Sequence, residues 1–284
     1  MKIKFDFAGH QFECSTADGT SLAIPLDFNG PQPNFYGTPK ANKSALKLGE
    51  FVGDTSEGGS CNVDQIQLIP HCTGTHTETI GHIVDQEVFV SDRITDHFFT
   101  ASLITVEPQP AATAAELGET YRPKFDEADR VLSRSQLEKT FTSLKQSGVP
   151  GDGLVTDSLI VRTSSDKTRI ATTWDADNRP AFFTVDAIEL LIERGYQHLL
   201  IDLPSVDRMN DDGLLTNHHL FWNVQEGSHE LMDECCQDKT ISEMIFVPES
   251  VADGFYLLNI QVPAFCSDAA PSRPVIYKPI RIDN

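Results

Sequence analysis

Three short β-rich runs, Leu103–Val106, Leu159–Arg162 and His198–Asp202, are separated by two stretches of helical periodicity, and this alternation limits the possible folds more than any other feature. The first helical stretch runs from Ser133, a capping serine, through Phe141, with a stop expected near Gly148 and Pro150. The second covers Val185 to Arg194, with Thr184 or Asp186 near its start and Gly195 as its stop. Strand, helix, strand in this order is βαβ grammar. Residues 1 to about 60 are rich in Pro, Gly, Asn and Ser, with short alternating pieces at Lys2–Phe7 and Ser21–Leu26, and read as edge strands and long loops. β-rich runs return at Phe255–Val262 and Pro274–Ile282, after a polar stretch over 225–239. The sequence shows no internal repeat and no low-complexity linker. Its 284 residues can bury a sizeable core, so a single α/β domain over 1–284 is the economical reading.

Composition removes several classes of function. The net charge of −20 argues against nucleic acid or anionic lipid as the main partner, because both need a lysine and arginine footprint. It also repels an anionic substrate unless a metal or an arginine such as Arg273 supplies local positive charge. Polar residues stand where a signal peptide would carry its apolar run, and no stretch approaches ~18 apolar residues, which predicts a cytoplasmic protein with no membrane partner. The six cysteines (Cys14, Cys61, Cys72, Cys235, Cys236, Cys266) lack Cys-x-x-Cys spacing and read as reduced thiols.

Chemistry concentrates in His71-Cys-Thr-Gly-Thr-His-Thr-Glu-Thr-Ile-Gly-His82. Packing does not explain three histidines, a thiol and a carboxylate in so short a stretch. In an extended segment alternate side chains share a face, so Cys72, His76 and Glu78 would present ligand atoms together. Imidazole, thiolate and carboxylate all bind zinc, and imidazole with carboxylate also suits manganese or iron. A lone histidine is more often a loop residue bonded to backbone; His76 with Glu78 two positions on and His82 six positions on reverses those odds. The chain lacks His-Glu-x-x-His, which excludes a helix-based metalloprotease.

These residues resemble the cyclase family of metal-dependent hydrolases, which includes bacterial kynurenine formamidases and isatin hydrolase and whose signature is His-x-Gly-Thr-His-x-Asp-x-Pro-x-His. Gly74-Thr75-His76 and His82 match; Glu78 stands for the aspartate, Ile80 for the proline, and Cys72, with His71 beside it, for the first histidine. Asp202-Leu-Pro-Ser-Val-Asp207 is similar to the family's Asp-Thr-Pro-Ser segment, Asn217-His218 to its later ligand histidine, Thr240-Ile-Ser-Glu243 to its glutamate, and Pro271-Ser-Arg273-Pro to its Pro-Val-Arg stretch. The interval from His218 to Glu243 exceeds the family's, and the surplus falls in 225–239, read as a surface insertion.

The resemblance implies a mixed β-sheet or barrel-like core with flanking helices, of the swivelling β/β/α kind. It implies one or two divalent ions held by Cys72, His76, Glu78, His218 and Glu243, with Glu78 between them and zinc favoured over manganese because of the thiol. His82 is expected to move protons as general base and acid. His71, Asp202, His219 and Arg273 are expected behind the ligands or at the substrate, with His218 preferred to His219 because Phe221 and Trp222 then fall where the family is apolar. Asp207 reads as an ordinary turn residue. The implied activity is hydrolysis of a formamide, cyclic amide or imide bond in a small molecule by metal-activated water, in a homodimer or homotetramer. The alternatives are a non-catalytic metal-binding protein and a metal-dependent lyase or dehydratase.

Overall fold

The three β-rich runs become the middle of one mixed sheet in the computed structural model, which describes residues 1–146 and 156–282. In chain order the strands are β1 (Thr20–Ser21), β2 (His76–Glu78), β3 (Phe98–Thr105), β4 (Ser158–Arg162), β5 (His198–Ile201), β6 (Thr240–Glu243), β7 (Gly254–Asn259), β8 (Ala269–Pro271) and β9 (Val275–Tyr277). Across the sheet they run β8-β2-β6-β5-β4-β3-β7-β9-β1. Neighbours within β3 to β6 are parallel, and every other pairing is antiparallel. β4 and β5 are buried along their whole length, as parallel strands covered on both faces must be.

Helices α1 (Arg134–Gln146), α2 (Val185–Glu193) and α3 (Thr216–Phe221) flank this sheet. Ser133 and Gln136 cap α1 reciprocally: Ser133 Oγ accepts from Gln136 N at 3.3 Å, and Gln136 Oε1 accepts from Ser133 N at 3.2 Å. The expected stop at Gly148 and Pro150 lies outside the described residues. Thr184 is the cap of α2, its Oγ1 accepting from Ala187 N at 3.1 Å, while Asp186 accepts from Thr120 N at 2.7 Å instead. Leu137, Ile188 and Leu191 of the two helices pack on Leu159, Val161, Leu199 and Ile201. The alternate residues Ile160 and Leu200 point the other way, onto Leu103, Leu258 and Ile276.

The sheet curls towards closure. Just beyond β1, Ala23 bridges Ile245, Phe246 N donates to Leu22 O at 2.8 Å, and Ile24 N donates to Thr75 Oγ1 at 2.9 Å. One edge of the sheet therefore returns to the neighbourhood of β2 and β6, which gives the barrel-like core expected from the resemblance. Lys2–Phe7 pairs with His10–Ser15 in a hairpin, and Asn42–Ala45 pairs with Asp64–Gln67. Residues 225–239 run between α3 and β6 without helix or strand, mostly exposed. Trp222 Nε1 donates to Lys239 O at 2.9 Å, and His229 Nδ1 donates to Ile83 O at 2.8 Å, tying this excursion to the body. Among the described residues no helix is long and apolar enough to cross a membrane.

Ile160 is fully buried at the centre of the sheet. Ile160→Ala is expected to cost roughly 2–5 kcal/mol, read as a lowered denaturation midpoint with an unchanged slope; an unchanged midpoint would show that this layer is not packed as described.

Candidate metal centre

β2 is only three residues long, yet it lies between β6 and β8, and its register assembles the site. His76 is opposite Glu243, and Glu78 is opposite Ile241 on one side and Ala269 on the other. Directly opposed residues in an antiparallel pair share a face, so Glu243 stands beside His76 and the Glu78 two positions on. On the other parity, Thr77 and Ser242 join their hydroxyls at 2.6 Å and fix that register. His76 Nδ1 is 2.9 Å from Gly74 O. A carbonyl can only accept, so Nδ1 carries the proton and the Nε2 lone pair is left facing Glu243 Oε2 at 3.5 Å. Burial, reinforced by nearby His71, pushes the His76 pKa down to about 4 and keeps the ring neutral.

α3 brings in His218. Its Nε2 is 3.0 Å from Glu78 Oε1 and 3.9 Å from Glu243 Oε1, and its Nδ1 is 2.6 Å from Asp207 Oδ2. Asp207 also accepts from the backbone N–H of Asn217 at 2.8 Å and of His218 at 3.1 Å, and from Tyr121 Oη at 2.7 Å. The carboxylate thus both fills the first turn of α3 and fixes the His218 ring. Asp207 is therefore no ordinary turn residue.

The remaining donors form a rim. His71 Nε2 is 2.9 Å from Asp268 Oδ2 and 3.4 Å from Glu78 Oε2; His82 Nδ1 is 3.6 Å from Asp268 Oδ2 and 4.0 Å from Glu78 Oε2. His82 sits at the end of a 3-10 turn, Ile80–His82, capped by Thr79 Oγ1. Glycine is required inside that turn, since a Cβ at Gly81 would lie 2.6 Å from Val88 O. The side chains of His76, Glu78, His218 and Glu243 are buried, whereas those of His71, His82 and Asp268 are 26%, 27% and 31% exposed, so the cluster opens on one side.

Cys72, expected among the ligands, lies outside this constellation. Strand alternation does not extend back past Gly74, because Cys72 N and Thr73 N both bond Ile69 O at 3.0 Å in a turn. That turn carries His71 to the site and packs Cys72 against Phe35, Trp174 and Met244. The thiol that favoured zinc is thus not among the converging donors. Asp202 takes Thr163 N, Thr163 Oγ1 and Ser164 N at 2.8, 2.8 and 3.0 Å, which places it at the β4 loop rather than behind the ligands. His219 is buried about 100° round α3 from His218, with its ring 6.4 Å from that of His229. Arg273 is exposed, its backbone N–H donating to Gln261 O. Sequence reasoning missed Asp207 as a positioning group and Asp268 altogether; a carboxylate in the Pro-Ser-Val-Asp turn was a signal for the first, and no motif marks the second.

A divalent cation fits these donors. Three groups, His76/Glu78/Glu243, Glu78/His82/His218 and His71/His82/Asp268, each place their ligand atoms within 4.8 Å of one another. His71 Nε2, His76 Nε2 and Glu78 Oε2 are buried yet have no aligned hydrogen bond. Burial and the charge of Glu78 push the Glu243 pKa well up, whereas His82, His218 and His71 overcome the burial of Glu78 and hold it down. Burial would lower His218, but Asp207 and Glu78 outweigh it and raise its pKa well above the usual histidine value. Without an ion, then, these shifts favour a proton on His218 and on Glu243, which offsets part of the negative charge.

The Cyclase family profile matches residues 20–208 and so ends before His218. A comparison with curated proteins finds no match. Among solved structures, the chain is similar to a predicted metal-dependent hydrolase from Bacillus stearothermophilus at 14% identity, covering 91% of this chain and 97% of that one with a TM-score of 0.55. It is similar to an isatin hydrolase bound to the product analogue thioisatinate at 15% identity, with 93% of each chain covered and a TM-score of 0.55. Isatin hydrolase A from Ralstonia solanacearum gives 14% identity, 91% coverage of each chain and a TM-score of 0.57. Likeness at such identities speaks for the fold.

Two predictions follow from the geometry. Asp207→Asn is expected to weaken metal affinity by roughly 10- to 100-fold in chelator competition, while Cys72→Ser leaves it within about 2-fold; the reverse ranking would restore the thiol as a ligand. Because the pKa values of His218 and Glu243 are raised, an ion that takes their lone pairs competes with protons there, so affinity should rise with pH. Calorimetry in buffers of different ionisation enthalpy should show net proton release, and binding without it would contradict the protonation pattern.

Proposed function

This chain belongs to the Cyclase family, and from that premise we propose that it is a metal-dependent hydrolase acting on an amide-type bond, a formamide or a cyclic amide or imide, of a small molecule. The observation that carries this reading is the convergence of buried His76, Glu78, His218 and Glu243 from three separate elements. Isatin hydrolases are among the similar solved structures, which supports amide chemistry here. A divalent cation in this site supplies the Lewis acidity that lowers the pKa of water from about 16 towards about 7 and polarises a carbonyl.

The chain's own residues do the rest. Neutral His76 offers Nε2, Glu78 and Glu243 supply the negative charge that retains a cation, and Asp207 fixes the ring of His218. Substrate meets the site at the rim, the side on which His71, His82 and Asp268 are part-exposed, and the imidazole of His82 there is the acceptor for the proton released when water attacks. Beside the rim a cavity of about 290 Å³, lined by Gly81, Asp85, Glu87, Val88 and Asp268 among others, lies at the small end of ligand sites. Its carboxylates disfavour an anion there, which is compatible with a neutral amide.

The test is turnover of a panel of formamides, cyclic imides and lactones by metal-loaded protein. Chelation should abolish hydrolysis, zinc or manganese should restore it, and Glu243→Gln should lower it by about 100-fold or more with the fold retained. Bound metal without turnover of any member would indicate a binding protein instead, and a product carboxylate lacking solvent oxygen would indicate a lyase.

A further inference from the structure

A second cavity opens at the end of the sheet that carries the metal centre, and its lining runs against the charge of the chain. Glu243 closes β6, and the cavity lies beyond the carboxyl ends of β3 and β4, which run parallel to it, where open α/β sheets take ligands. It offers about 440 Å³, enough for a small molecule. Arg130, Arg169 and Arg179 reach it from three segments: the strand Arg130–Leu132, the 3-10 turn Lys167–Ala171, and the loop between Trp174 and Phe182. Three of the 22 lysines and arginines of a protein with net charge −20 thus share one space.

Neutral groups hold two of these guanidiniums. Arg169 donates from Nη1 to Asp202 O at 3.2 Å and from Nη2 to Thr163 Oγ1 at 3.0 Å, and Arg130 donates to Pro108 O. Among the described residues neither forms an ion pair. The Asp202 carboxylate is linked to Arg169 through the Thr163 hydroxyl rather than directly. Arg179 has Asp126 Oδ2 at 3.4 Å, but Arg208 claims the same oxygen. Two carboxylates also line the cavity. Asp166 is engaged as the cap of its own turn, accepting from Thr168 N at 2.9 Å, and Glu107 is exposed and pairs with none of the three arginines among the described residues. Ser164 Oγ, also in the lining, accepts from Asp166 N at 3.1 Å, which leaves its proton to donate. Forked guanidinium donors beside a hydroxyl suit carboxylate and phosphate oxygens.

We propose that Arg130, Arg169 and Arg179 bind a small oxyanion, a carboxylate or a phosphate, in a site separate from the metal centre. Trp174 stands between the two. It lines the cavity, with the Arg169 guanidinium carbon 6.0 Å from its ring centre, and it packs on Met244, the residue after Glu243. The local positive charge that an anion needs in so acidic a chain, sought at Arg273 from the sequence, is found at these three side chains. Binding there calls for no ion in the metal centre, so the site stands or falls independently of the hydrolase reading.

The experiment is calorimetric titration of the full chain with inorganic phosphate and with malonate at constant ionic strength, with and without phenanthroline, an uncharged chelator that does not compete for arginine. A single anion per chain should bind in both conditions. Arg130→Gln and Arg169→Gln should each weaken it by roughly 10-fold or more, whereas Arg122→Gln, at an exposed ion pair with Glu226, should leave affinity within about 2-fold. Arg130 is exposed, so its variant carries the test if Arg169→Gln does not fold. Saturable binding of either anion with this ranking supports the site and shows which oxyanion it takes. No saturable binding of either, loss of binding with phenanthroline, or an affinity that does not distinguish Arg122→Gln from the other two variants would overturn it.

Discussion

Glu78 and Glu243 are buried within reach of the same imidazoles, and the repulsion between two carboxylates in a low-dielectric interior is the constraint that everything else answers. Asp207 brings a third buried carboxylate onto His218. In a chain of net charge −20, such a concentration of negative charge persists only where matched positive charge is built in. Protons on histidine and on Glu243 do this in part; divalent cations do it with better geometry, since they also satisfy the buried His76 and Glu78 atoms that lack hydrogen bonds.

The fold supplies what such a site needs, a rigid wall carrying donors from distant parts of the chain. The parallel strands β3 to β6 are buried and bracketed by packed helices, and β2 and β8 extend that sheet as short antiparallel additions. β2 contributes His76 and Glu78, β6 contributes Glu243, the residue before β8 contributes Asp268, and α3 contributes His218. None of these elements could form the site alone. The turns on either side of β2 add His71 and His82, and glycine lets the second turn pass within contact of Val88 O.

Much of this was legible in the sequence, for physical reasons that differ by region. β4 and β5 announce themselves because fully buried parallel strands must be apolar throughout, and α1 and α2 because Ser133 with Gln136, and Thr184, are cap chemistry written in order. His76 and Glu78 were readable because strand alternation places them on one face. The same rule failed at Cys72, where the backbone turns at Ile69 and His71 reaches the site instead. Asp207 and Asp268 acquire their meaning from contacts with α3 and β2 across about eleven and nearly two hundred residues, which local patterns do not encode. Asp202 looked alike at sequence level, yet its carboxylate caps the loop at Thr163 and Ser164.

Diffraction from crystals grown with zinc or manganese, with anomalous differences collected on both sides of the metal's absorption edge, tests the central claim most directly. A peak enclosed by His76, Glu78, His218 and Glu243 is the expected result. Those four side chains seen bonded only to one another, with no anomalous density among them at saturating metal, would contradict it.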